Sequence, residues 1–343
     1  MGSDVRWPKS TPTLPPVGVD WCSVPDDLEV VAEGLDFPEG PIACADGTLL
    51  VVEVRGGRLM RVFPTGGLEV VADLGGGPNG AALGPDGAVY ICNNGGLPWS
   101  QLDDGSWYPI DRDTGSMTPA GYKGGWIERV DPSSGEVTRL IERVGDVALS
   151  APNDIAFDRA GDLWFTDTGK TAVGETVLGA VYRARIDGSE VEAFATRLLG
   201  PNGIGFAPEA DRVYVSDTPS GRVYEWDVRM GEAFQPPPRR TAGRVRARMP
   251  GAIALDSLAV DTEDRIVVAM PGAGGLAVVQ PDGGMWFVRM PDPLPTNICF
   301  GGEDRATAFV TLGGHGRLIR FRWPCPGAAL HGSRSILTSE PCE

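Results

Sequence analysis

The sequence predicts an all-β chain folded as a six-bladed β-propeller. Three observations predict it. A strand–turn–strand frame recurs six times along the chain. The spacings between copies cluster about the ~40–50 residues of a propeller blade, except where one copy is lengthened by an insertion. The last copy lacks one strand, and the N-terminus has one strand to spare.

The copies are EGPIACADGTLLVVEV from Glu39, NGAALGPDGAVYICNN from Asn79, NDIAFDRAGDLWFTDT from Asn153, NGIGFAPEADRVYVSDT from Asn202, DSLAVDTEDRIVVAMP from Asp256 and NICFGGEDRATAFVTLGG from Asn297. Each reads as a β-hairpin, with turn residues such as Asp46-Gly47 and Asp86-Gly87 between two β-rich runs. Two further strands follow in most copies, RLMRVFP and LEVVADL in the first and AVYRARI and VEAFAT in the third. The sixth copy has only NICFGG, ATAFVTL and RLIRFRW, while LEVVAEGL at residues 28–35 is a fourth-strand sequence with no first three before it. The N-terminal strand therefore completes the last blade, which closes the ring and removes an open edge. The propeller spans residues 28–323 as one domain, between a Pro-rich arm at 1–27 and a tail at 324–343. A two-sheet sandwich accounts for the repeats less well. No long stretch of helical period is present.

Composition narrows the function. The 343 residues carry 46 acidic and 30 basic side chains, a net charge of −16, which repels phosphate backbones and anionic lipid. Nucleic acid and membrane surfaces are thus excluded as partners, and a small molecule is expected. No run approaches the ~18 apolar residues of a spanning helix. The opening MGSDVRWPKSTPTLPPVG lacks an apolar secretory core, so a cytoplasmic protein is expected. Cys44, Cys92 and Cys299 sit in strand-like runs and read as buried thiols; Cys22, Cys325 and Cys342 lie toward the ends without zinc-type spacing. Oligomeric state is not legible.

The innermost strand of every blade starts at one face, beside the central channel. Glu39, Asn79, Asn153, Asn202, Asp256 and Asn297 stand at those starts and form a ring around the axis. The residues ending the second strands, Glu53, Asn93, Asp167, Asp217 and His315, return to the same face further out. The inner ring holds two carboxylates and four amides, with no thiol or imidazole. Such oxygen donors suit one hard divalent cation, calcium first; zinc, manganese, magnesium and iron(II) are accepted by the same ligands. Two carboxylates offset the divalent charge, and amides add donors without adding repulsion.

The motifs PEGPIA, SAPNDIAFDRAGDLWFTDTG, GPNGIGFAPEADRVYVSDT and LDSLAVDTEDRIVVA, in that order, resemble the SMP-30/gluconolactonase/luciferin-regenerating family of six-bladed lactonases. The resemblance covers nearly the whole chain outside the ends. It implies a metal held by Glu39, Asn153, Asn202 and Asp256, and leaves Asn79 and Asn297 for substrate contact or support. The chain departs from the family at Ser257, where many members have Gly.

A lactonase of this kind lets the ion polarise a carbonyl while Asp256 activates water or attacks directly. His315, in TLGGHG, is the alternative base; His331 has no role. Asp167 and Asp217 read as ties between blades, and Asp154 is open between that reading and a functional one. No GxSxG, HExxH or P-loop Lys competes. The second copy inserts residues 93–125 where its second strand exits, which places them over the ring as a lid. Trp99, Trp107, Tyr108 and Tyr122 fall there. They either contact a substrate with a flat or apolar part, with Trp99, Trp107 and Tyr122 as the candidates, or pack the insertion onto the propeller. Three other functions stand beside the lactonase: a phosphotriesterase or aryl esterase using the same metal, a non-catalytic binding platform, and a strictosidine-synthase-like condensing propeller.

Overall fold

Each blade opens with a hairpin whose turn residues dictate it. Asp46 Oδ1 accepts the Thr48 N–H at 2.9 Å, and Asp86 Oδ1 accepts the Ala88 N–H at 3.2 Å. Gly47 and Gly87, next to them, take φ of 82° and 81°, a region that costs glycine little. The computed structural model of the chain describes residues 21–172, 174–228, 243–251 and 253–331. Most of the expected N-terminal arm, and Cys342, lie outside the described residues.

Six four-stranded antiparallel blades follow in chain order. Blade one is Pro38–Ala43, Leu49–Glu53, Arg58–Val62 and Leu68–Asp73. Blade two is Pro78–Leu83, Val89–Asn93, Trp126–Val130 and Val137–Ile141. Blade three is Pro152–Phe157, Leu163–Asp167, Gly179–Ala184 and Val191–Leu198. Blade four is Pro201–Phe206, Arg212–Asp217, Arg222–Asp227 and Arg244–Arg248. Blade five is Leu258–Val260, Ile266–Met270, Gly275–Val279 and Met285–Arg289. Blade six is Pro295–Gly301, Thr307–Leu312 and Arg317–Arg322, and Glu29–Glu33 pairs antiparallel with Arg317–Arg322 to complete it. The expected closure by the N-terminal strand is therefore present. One feature was not expected: Trp21–Cys22 adds a parallel fifth strand to blade five, opposite Phe287 and Val288. No helix occurs among the described residues.

Apolar side chains do not gather in one core. They form layers between neighbouring blades, as the alternation of each strand requires. Val51, Met60 and Leu318 meet between blades one and six. Val52 and Ile91 meet between blades one and two, and Trp164 and Val213 between blades three and four. Residues 324–331, expected as a tail, instead run back against blades five and six. Cys325 is buried there and takes a hydrogen bond from Arg265 Nη2, while Ala328 N–H donates to the Val260 carbonyl at 2.9 Å.

The seam between blades six and one yields a stability prediction. Leu318 is fully buried at it, whereas Val30 on the closing strand is half-exposed. Leu318→Ala should cost about 2–5 kcal/mol in urea unfolding. Val30→Ala should stay within about 0.5 kcal/mol. Equal effects from the two would show that the seam is not tightly packed.

Candidate active site

A proline opens each of five innermost strands, at Pro38, Pro78, Pro152, Pro201 and Pro295. The first position of a strand tolerates its missing N–H. The ladder then slips: register shifts fall between Glu39 and Ile42, Pro78 and Ala81, Pro152 and Ile155, Pro201 and Ile204, and Pro295 and Asn297. A bulge turns its side chains away from the ladder. These bulges aim Glu39, Asn79, Asn153, Asn202 and Asn297 toward the axis, and all five are buried. Asp256 differs. It precedes the short strand Leu258–Val260, and its N–H donates to the Ala269 carbonyl at 2.9 Å.

The inner strands approach so closely that side chains are excluded at some positions. A Cβ on Gly80 would lie 2.5 Å from Asp154 Cα, and one on Gly203 2.7 Å from Ser257 Cα. The positions after Asn79 and Asn202 are therefore glycine, and the bulge of blade three and the segment before Leu258–Val260 carry Asp154 and Ser257 into the space left. Both are buried.

The donors divide by their partners. Asn297 Nδ2 donates to Glu39 Oε2 at 2.7 Å, and its Oδ1 accepts the Ile298 N–H at 2.7 Å. Glu39 Oε2 also accepts the Gly40 N–H, and Ser257 Oγ donates to Glu39 Oε1 at 3.5 Å. Asp154 accepts the N–H groups of Ile155 and Ile204. In contrast, the side-chain oxygens of Asn79, Asn153 and Asn202 are buried and have no hydrogen-bond partner. A buried polar atom left unpaired costs ~1–3 kcal/mol, so three at one place call for an explanation.

The electrostatics point the same way. Burial pushes the Glu39 carboxyl well above the usual range, and the charges of Asp256 and Asp154 push it further. Burial pushes Asp154 up to about 7, against the N–H groups that hold it down. Asp256 is raised by burial and by Asp154, although Asn202 opposes the shift. No basic side chain among the described residues compensates these acids. No three His, Cys, Asp or Glu side chains among the described residues could hold an ion alone. The mixed set of carboxylates and orphaned amide oxygens does fit a hard divalent cation.

Further out, the second-strand ends tie blades to the loops that lead into them. Asp167 accepts from Ser150, Ala151 and Gly169 N–H, and Asp217 from Gly200 N–H. Glu53 accepts from Asp36 N–H and Asn93 from Gly77 N–H. His315 lies in the turn after Thr307–Leu312, with Nδ1 at 2.9 Å from Oδ2 of Asp292. The side chain of Asp292 is fully buried while that of His315 is 34% exposed. His331 sits at the other end of the channel, its ring 6.4 Å from Phe206. That end is walled by apolar residues such as Ala82, Ala156, Ala259 and Phe300, with a cavity of about 150 Å³. This is small against the ~300–1,000 Å³ of a ligand pocket, although Asp154 and Asn297 of the collar line its inner end.

The insertion forms a hairpin, Ser100–Gln101 with Trp107–Tyr108, and reaches blade six through Trp107 N–H to the Gly314 carbonyl at 3.3 Å. Trp99 packs on Phe37 with ring centroids 4.8 Å apart, and the Arg55 guanidinium lies 3.9 Å above the Trp107 ring. Tyr122 donates to the Asn94 carbonyl at 3.0 Å, and Lys170 Nζ stands 4.7 Å over its ring. Thus Trp99, Trp107 and Tyr122 all make packing contacts that hold the insertion. Sequence reasoning missed the hairpin Lys170–Ala172 with Glu175–Val177 in blade three, on which Met117 and Thr118 of the insertion rest. It also missed Asp292, whose partner lies 23 residues away.

The profile of the SMP-30/Gluconolactonase/LRE-like region matches residues 37–314. The gluconolactonase of Zymomonas mobilis is 24% identical over 311 residues, 83% of this chain and 78% of that protein. The diisopropyl-fluorophosphatase of Loligo vulgaris is 24% identical over 316 residues, 85% of this chain and 91% of that protein. The solved structure of regucalcin, a calcium-binding protein from Agrobacterium tumefaciens strain C58, is 19% identical with a TM-score of 0.65, covering 90% of this chain and 99% of that one. With its profile match running through all six blades, the chain belongs to the SMP-30/gluconolactonase/LRE-like family.

Proposed function

We propose that the chain is a divalent-metal-dependent hydrolase that opens a lactone ring. The observation that carries this reading is the set of three orphaned amide oxygens beside two uncompensated carboxylates on the propeller axis. Glu39, Asn153, Asn202 and Asp256 would hold the ion, and Asn79 Oδ1 is free to face either ion or substrate. Asn297 is already engaged with Glu39, which favours a supporting role for it. Calcium is the first choice because the donors are hard oxygens, and the similarity to regucalcin supports it. When bound, such an ion supplies Lewis-acid polarisation of an ester carbonyl and positive charge for the developing oxyanion.

Asp256 is the base. It is largely buried but keeps more surface than Glu39 and Asp154, which favours it as the ring acid that meets a water. Its burial and acidic neighbour raise its basicity. Asp256 takes a proton from water, the water oxygen bonds to the carbonyl carbon, the ring C–O bond breaks, and the proton passes to the departing oxygen. The product is a hydroxy acid. Alternatively the same carboxylate attacks the carbonyl and forms an acyl ester, which water then opens. The second candidate base is His315, favoured by one observation: the buried Asp292 fixes its ring through Nδ1 and leaves Nε2 as the exposed nitrogen. The likeness to the gluconolactonase supports lactones over other esters; the likeness to the diisopropyl-fluorophosphatase supports the organophosphate alternative.

Hydrolysis of a panel of sugar lactones, alkyl lactones, aryl esters and organophosphates, followed by proton release on chelated and calcium-restored protein, tests the reading. Turnover of a lactone restored by calcium is expected; restored turnover of organophosphates alone would shift the assignment. Glu39→Gln and Asp256→Asn should each weaken calcium binding by more than the roughly 10–100-fold that loss of an outer partner costs. Full metal content and activity in both would remove the site. Asp256→Asn should also cut kcat by about 10²–10⁴ at saturating calcium, and the same loss in His315→Asn instead would make His315 the base.

Proton linkage gives an independent check. The raised acids hold protons in the metal-free folded state that the unfolded chain releases above about pH 4. Their stabilising contribution is full below that pH and is lost as pH rises through the folded values, about 7 for Asp154. The metal-free Tm should therefore fall from about pH 5 to about pH 8, and the Tm gain from calcium should grow over the same range. A gain independent of pH would mean that the ion does not displace these protons.

A further inference from the structure

Four aromatic side chains hang in the insertion, and three are claimed by the protein itself. Trp99 is packed on Phe37, Trp107 is covered by Arg55, and Tyr122 spends its hydroxyl on Asn94. Tyr108 differs. Its ring packs on the cluster of Phe37, Val54 and Leu294. That cluster is the rim of the donor ring: Phe37 stands two residues before Glu39, and Leu294 three before Asn297. The Tyr108 hydroxyl makes no hydrogen bond among the described residues. A half-buried phenol usually finds a partner, and this one has none.

The strand that carries Tyr108 is held from both sides. Tyr108 pairs with Ser100 across the hairpin, and its carbonyl accepts the Ile110 N–H at 2.9 Å. Trp107, next to it, is bonded to Gly314 in blade six. The side chain is therefore placed by its backbone and has no need of its hydroxyl for position. Burial raises the phenol, and the charge of Asp256 raises it further, so the hydroxyl keeps its proton near neutral pH and lies within reach of the Asp256 field.

We infer that Tyr108 is a substrate-binding residue, its hydroxyl donating a hydrogen bond to an oxygen of the bound lactone while its ring and Phe37 cover the apolar side of that molecule. This rests on the lactone hydrolase reading above. It assigns the substrate as a lactone with one apolar flank, held from above by the insertion and from below by the donor ring. Trp99, Trp107 and Tyr122 then secure the platform on which Tyr108 is presented.

The test uses the full chain with calcium, comparing wild type with Tyr108→Phe and Tyr108→Ala. Turnover is measured on γ- and δ-lactones with and without an alkyl substituent. Calorimetry measures calcium binding, and binding of a lactam of the ring size preferred, which needs no turnover. Loss of one hydrogen bond should raise KM and the lactam Kd by roughly three- to tenfold in Tyr108→Phe, with kcat nearly kept and calcium affinity unchanged. Tyr108→Ala should in addition erase any preference for the alkylated lactone. Unchanged KM and lactam Kd in both variants, with an active wild type, would overturn the inference and leave the hydrolase reading standing. A wild type that neither opens any lactone nor binds the lactam would overturn the hydrolase reading, and the inference with it.

Discussion

Closure of the ring is the constraint on which the rest depends. Glu29–Glu33 pairs with Arg317–Arg322 across the whole length of the chain, and that pairing brings blade one against blade six. Glu39 and Asn297 lie on opposite sides of the seam, 258 residues apart, and are bonded to each other at 2.7 Å. Thr296 Oγ1 donates across the same seam to the Pro38 carbonyl at 2.8 Å. Without closure, Glu39 loses the donor that lowers its charge penalty, and the insertion loses its anchor on Gly314. The site is thus a property of the closed ring; no single blade contains it.

Within that ring the chemistry comes from irregularity. A straight innermost strand would alternate its side chains between neighbouring blades and leave only small groups at the axis. The bulges interrupt the alternation and spend two consecutive residues on the channel. In blade three the second residue is Asp154, whose charge acts on Glu39, and in blade five Ser257 follows Asp256 and donates to Glu39. The result is a polar collar, unfavourable by itself, set in a scaffold held by apolar clusters between the blades. The scaffold supplies the stability that this collar costs.

Much of this was legible in the sequence because propeller blades repeat. The Asp-Gly turns, the alternating strands and the missing fourth strand of the last copy gave the blade count and the closure. The ring positions followed because the same frame carries Glu39, Asn79, Asn153, Asn202, Asp256 and Asn297. The bulges were not legible, since register slips leave no mark in composition; for that reason Asp154 was left open between tie and function. Asp292 was invisible as the partner of His315, because a loop-to-turn contact has no period. Of the four aromatics of the insertion, sequence reasoning put forward Trp99, Trp107 and Tyr122 for the substrate and left out Tyr108. Only their neighbours, Phe37, Arg55 and Asn94, separate Trp99, Trp107 and Tyr122 from Tyr108. The strand at Trp21–Cys22 and the hairpin at 170–177 were too short to announce themselves.

The seam also sets an order of events during synthesis. The closing strand Glu29–Glu33 leaves the ribosome long before its partner Arg317–Arg322 is made. At ~5–20 residues per second the early strand waits on the order of tens of seconds with its edge unpaired. Glu29, Glu33, Asp26 and Asp27 crowd this waiting segment with negative charge, which discourages pairing with another chain. When the sixth blade arrives, Arg317 and Arg320 meet Glu33 and Glu29. The charges that protect the orphan strand thus become the ones that seat it.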